Sequence, residues 1–114
     1  MSGLSKKELI AQYKQRKIIG GVYAVKNIIN GKIFIDCALE IKGSKNLFDF
    51  AVQNNTNFHY KIEEDWKKYG GSSFTFEILE EIKKGELQTD DEYKRDVLLL
   101  KELWLEKISA DKLY

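Results

Sequence analysis

The sequence contains no proline and only one cysteine, one methionine and one histidine in 114 residues. Without proline, the usual source of cis peptide bonds and slow isomerisation is gone. The lone thiol, Cys37, excludes an intrachain disulfide and fits a reducing compartment. The lone histidine, His59, has no second imidazole for a common metal pair and reads as a surface or helix-start residue. Neither sign of charge dominates, with 19 basic and 18 acidic side chains. Nucleic-acid binders usually carry a basic excess, so any such contact here needs a local basic face and is expected to be weak. No segment approaches the ~20 apolar residues of a membrane span. The opening MSGLSKKELI holds no apolar run long enough for a signal peptide. These absences predict a cytoplasmic protein with no membrane partner.

What is present suffices for one compact domain. Hydrophobic residues make up 43% and aromatics 12%, enough for a core, and the 32% charged content covers its surface. Residues 1–114 read as a single domain, with an N-terminal helix over about 5–18 and a core over about 20–108. Ser5 and Glu8 form a capping box for that helix, Leu4 can staple to Leu9, and Gly20-Gly21 end the segment.

VYAVKNII, then Asn30-Gly31, then KIFIDCA predicts a hairpin with a tight type I′ turn. Alternation puts Tyr23, Val25 and Ile29 on one face and Val22, Ala24 and Ile28 on the other. Phe34 and Asp36 oppose Ile33, Ile35 and Cys37. Both faces are apolar, which predicts cover on both sides. SKNLFDFAVQ reads as a short helix capped by Ser44 or Asn46, and FHYKIEEDWKKYGG as a helix closed by Gly70. SFTFEILEEI alternates as a third strand, and a last helix runs from Thr89 or Asp90 to about Leu113. The order is α-β-β-α-α-β-α, an α+β fold.

GVY at 21–23, about ten residues before FID at 34–36, resembles the paired tripeptides of the GIY-YIG nuclease family. DWKKYGGSSFTFEILE and LLLKELWLEKI resemble its helix–loop–strand segment and closing helix. The resemblance implies a three-stranded antiparallel sheet flanked by helices, and metal-assisted phosphodiester hydrolysis. It implies four site residues: two tyrosines that place and activate water, an arginine that stabilises phosphate charge, and a glutamate that binds one divalent metal. Carried over, the first tyrosine is Tyr23. The second falls on Phe34, the arginine on Leu47 and the glutamate on Lys101, while Asp36 replaces the last glycine of the second tripeptide.

These replacements bear on the chemistry. Magnesium is held by oxygen ligands, usually one or two carboxylates, and an ammonium repels it. Lys101 lies on the apolar stripe of Val97, Leu100, Trp104, Leu105 and Ile108. Its stem can snorkel to water, or its charge can stand in the former metal pocket. The expectation is a GIY-YIG-like domain that has lost nuclease activity, needs no cofactor, and binds nucleic acid or a protein. One alternative is an active endonuclease using magnesium or manganese on displaced carboxylates, Glu77 or Glu102, with Asp36, Glu40 and Glu80 as further candidates. Another is a protein-interaction domain without a nucleic-acid role. Glu63, Glu64 and Asp65 read as a solvated acidic face. Lys67-Lys68, Lys83-Lys84 and the KQRK of residues 14–17 are local basic spots. Nothing in the sequence assigns an oligomeric state.

Overall fold

The computed structural model describes residues 18–114. The helix expected over about 5–18, its capping box and KQRK lie outside the described residues, save for Ile18, which is not helical. The described elements are β1 (Ile19–Asn27), β2 (Ile33–Ala38), α1 (Ile41–Asn54), α2 (Glu63–Tyr69), β3 (Phe74–Lys83) and α3 (Asp90–Glu106). β1 is central and antiparallel to both neighbours, in the order β2-β1-β3. This is the α+β, three-stranded sheet that the pattern predicts.

Because β1 is central, both its faces are covered. Tyr23 and Val25 join Phe34, Phe48, Trp66 and Phe74 in an aromatic cluster. On the other face Val22, Ala24 and Ile35 pack with Leu100, Trp104 and Leu105 of α3. Ile28 and Ile29 do not extend this pattern: they lie beyond the strand end and are 58% and 60% exposed.

The hairpin turn differs from the tight type expected. The Asn27 amide donates to the Lys32 carbonyl at 2.9 Å and the Gly31 amide to the Asn27 carbonyl at 2.8 Å, so residues 28–31 form the loop. Gly31 takes the left-handed conformation with φ 77°, and Asn30 does not. Asn30 contributes through its side chain, which accepts from the Lys32 amide and donates to Asp65, both at 2.9 Å. Gly20 and Gly21 lie inside β1 rather than at a helix end. A side chain at Gly20 would collide with the Tyr93 hydroxyl and the Ala38 carbonyl. Its absence lets Tyr93 of α3 donate to the Leu39 carbonyl at 2.8 Å.

On β3 the register passes from Val22↔Glu80 to Tyr23↔Ile78. This bulge turns Leu79 toward the α3 side and breaks strict alternation. α1 begins at Ile41, earlier than Ser44, with Glu40 at its N-cap and no side-chain cap bond. The buried Ile41 fastens this first turn to the core. The single helix expected from Phe58 divides into a 3₁₀ turn, Tyr60–Ile62, and α2. α3 opens on a Thr89–Glu92 capping box, as its expected start requires. It stops at Glu106, short of Leu113, and the Tyr114 amide returns to the Ile33 carbonyl at 3.0 Å. No helix among the described residues is long and apolar enough to cross a membrane.

Candidate functional site

Tyr23 on β1 faces Asp36 on β2 across the hairpin register. Its ring is 4% exposed, stacked on Phe76 at 4.7 Å and met edge-on by Phe58 at 6.3 Å. Burial pushes its phenol far above the ordinary range and the Asp36 carboxylate pushes it further, while a hydrogen bond with Ser44 of α1 pulls back. Tyr23 is therefore a neutral phenol at physiological pH.

Lys101 comes to the same place from the opposite face. β2 is an edge strand, so the long stem from α3 carries the ammonium to Asp36 Oδ1 at 3.2 Å. Each side chain is about a quarter exposed, 27% for Lys101 and 26% for Asp36. Asp36 Oδ1 also accepts the Cys37 amide at 2.8 Å. Burial, then Asp36, raises the Cys37 thiol, with Lys101 opposing, so no reactive thiolate forms at neutral pH.

Phe34 is buried beside them, 4% exposed, and His59 lies over it with ring centroids 4.5 Å apart. His59 accepts the Lys61 amide at Nδ1, 3.1 Å, and caps the 3₁₀ turn, in keeping with a helix-start role. Desolvation lowers its pKa, with Asp36 opposing and Lys61 and Lys101 assisting, which keeps the imidazole neutral. With Nδ1 accepting, the ring proton sits on Nε2.

Three of the four carried-over positions therefore converge: Tyr23, Phe34 and Lys101. Leu47 does not join them. It is 56% exposed on α1, whereas Ser44, one turn earlier, is the residue that acts on the Tyr23 phenol and lowers its pKa. Of the carboxylates suggested as replacements, Asp36 is at this place, Glu40 is the N-cap of α1, and the others lie elsewhere. Glu77 pairs with Ala24, on the α3 side of the sheet, and is exposed. Glu102 is exposed on α3, and Glu80 accepts the Trp104 indole N–H at 2.8 Å. Sequence reading missed Ser44 as a site residue and His59 as a neighbour of Phe34. The resemblance places the arginine before a phenylalanine, which selects Leu47 ahead of Phe48 and passes over Ser44, and a solitary histidine gives no spacing signal.

The family resemblance implies a divalent cation, and the donors here fit one poorly. The carboxylate that meets Lys101, Asp36, already holds that ammonium and a backbone amide. Among the described residues no three His, Cys, Asp or Glu side chains gather as a metal site would need.

A family model described as a putative endonuclease segE, GIY-YIG domain, matches residues 4–106. Among solved structures, the catalytic domain of the homing endonuclease I-TevI is similar at 21% identity and TM-score 0.60, with 83% of this chain and 95% of that chain covered. A glutamate-to-alanine mutant of the I-TevI catalytic domain, an intron endonuclease, gives 23%, 0.59, 85% and 92%. At such identities these two likenesses show the fold. No curated protein matches. The family model spans most of the chain and the sheet carries the expected hairpin, so the chain belongs to the GIY-YIG nuclease family, as a domain of the SegE type.

Proposed function

We propose that this GIY-YIG domain binds nucleic acid at the Tyr23 cleft and does not cut it by the metal-dependent route. The observation that carries this reading is the Lys101–Asp36 ion pair, 3.2 Å long, beside the Tyr23 phenol. A fixed cation there disfavours magnesium, which draws on carboxylates, water and substrate phosphate. Metal supplies both a nucleophile at neutral pH and a clamp on developing charge. Each lost charge-stabilising donor typically costs ~100- to 1000-fold in rate. Phe34 has no hydroxyl, and Ser44 has no positive charge. These losses are not additive, yet together they leave little chemistry. The groups that remain suit a phosphate: the Lys101 ammonium, the Ser44 hydroxyl and the neutral Nε2–H of His59.

The test is a nicking assay on supercoiled and branched DNA with magnesium or manganese. The expected result is no cutting above buffer, alongside binding that weakens steeply with salt. Metal-dependent cutting that Tyr23→Phe abolishes would overturn the proposal. Geometry also sets the repair. Ser44→Arg with Phe34→Tyr and Lys101→Glu is expected to give weak cutting, whereas Leu47→Arg in place of Ser44→Arg gives none.

A further inference from the structure

Residues 58–60 are a run of three aromatic rings that point three ways. Phe58 packs edge-on against Tyr23 in the core. His59 lies on buried Phe34 with centroids 4.5 Å apart and planes 34° apart. Tyr60 lies on His59, again at 4.5 Å, with planes 29° apart. Phe34, His59 and Tyr60 therefore form a ladder from core to surface, and its outermost rung is 72% exposed. The middle rung is held in place, because its Nδ1 accepts the Lys61 amide. Tyr60 is thus supported on one face and open on the other.

The surroundings of Tyr60 select among ligands. It borders a shallow hollow of about 590 Å³ whose other walls are Glu63, Glu64, Lys67 and Lys68. Glu63 and Lys67 are paired at 3.1 Å, and the Lys68 ammonium lies 5.2 Å over the Tyr69 ring. Two carboxylates against two ammoniums make a poor phosphate site. A flat, uncharged heterocycle suits it better, with Glu64 able to accept from a base N–H. The cations that could face a phosphate lie on the His59 side of the ladder, where Lys61 and Lys101 both bear on that ring.

We infer that Tyr60 is a stacking platform for an unpaired nucleobase, so that the nucleic acid taken by this domain is single-stranded or opened next to the cleft. A base inside a duplex offers no free face to a protein ring, while any unpaired base does. The inference rests on the nucleic-acid reading above and adds the class of strand.

The experiment is fluorescence anisotropy with a labelled oligothymidylate of about 12 nucleotides, an abasic strand of equal length and a matched duplex. Wild-type protein is compared with Tyr60→Phe and Tyr60→Ala, each checked for an unchanged melting temperature. Tyr60→Ala is expected to lose about 5- to 100-fold in affinity for the oligothymidylate, and Tyr60→Phe less than about twofold. The abasic strand should bind wild type and Tyr60→Ala alike. Undiminished oligothymidylate binding by Tyr60→Ala, or a wild-type preference for duplex, overturns the platform and leaves the cleft reading standing. Wild-type protein that binds none of the three overturns both.

Discussion

Two polar clusters sit on the β1–β2 hairpin, and each pairs a tyrosine with an aspartate. Near the turn, the fully buried Asn27 donates to the Tyr114 hydroxyl at 3.0 Å and accepts the Ile29 amide at 2.9 Å. Tyr114 donates to Asp65 at 2.8 Å, and Asn30 adds a second donor at 2.9 Å. These bonds are made between neutral groups and one carboxylate, and they tie Tyr114 to the turn and to α2. Further along the strands, Tyr23 and Asp36 share their place with an ammonium and with a neutral histidine that opens to the surface. The first arrangement is a network of hydrogen bonds around the buried Asn27, which is the way a clasp raises stability. The second holds a charge whose donors number three, of which Asp36 engages one. Similar residues thus serve two ends, and the difference lies in the ion pair: Lys101 meets Asp36 at 3.2 Å, whereas Lys32 lies over the Tyr114 ring at 5.8 Å.

Breaking the clasp should cost most. Asn27→Ala removes the hub and leaves the Ile29 amide and the Tyr114 hydroxyl short of partners. A loss of about 2–3 kcal/mol in urea unfolding is expected, with nucleic-acid affinity of the folded protein unchanged. Lys101→Met should cost less, about 1–2 kcal/mol, because the pair is only partly buried. Unlike the clasp variant, it should also reduce the salt slope of nucleic-acid binding by about one.

Tyr114→Phe is expected to cost about 1 kcal/mol near neutrality. Its larger signature is alkaline. Burial, with the Asn27 bond opposing, lifts the Tyr114 phenol from 10.0 to about 12. Between those values the unfolded phenol has ionised and the folded one has not. Wild-type stability should therefore be intact below about pH 10 and fall as pH rises toward 12, and Tyr114→Phe should flatten that part of the curve. Denaturation midpoints across the range check the sign. Leu47→Ala should do least, within about 0.5 kcal/mol, and leave binding untouched.

The sheet was readable because β-branched and aromatic residues alternate on β1, and because both faces of a central strand must be apolar. The Thr89 cap on α3 was equally plain, since its partner Glu92 stands three residues on. The turn was misread because Asn30 stabilises it with its side chain instead of taking a left-handed backbone. The start of α1 was placed too late because no side chain caps it; burial of Ile41 sets it. Leu47 stands before Phe48 as the family's arginine does before its phenylalanine, and that match passed over Ser44. Asp65, read as part of a solvated acidic face, also binds across the chain, and its Tyr114 bond lowers its pKa from the ordinary value. That contact joins residues far apart in the chain, as does the Lys101–Asp36 pair around the edge of β2. Local patterns do not encode such meetings.

The central claim is that Lys101 and Asp36 hold the ground a divalent metal would need. Titrating manganese into the folded protein, with free metal read by electron paramagnetic resonance, tests it directly. The account predicts no binding by wild type at millimolar metal and new binding in Lys101→Glu. Submillimolar binding by wild type that Asp36→Asn removes would contradict it.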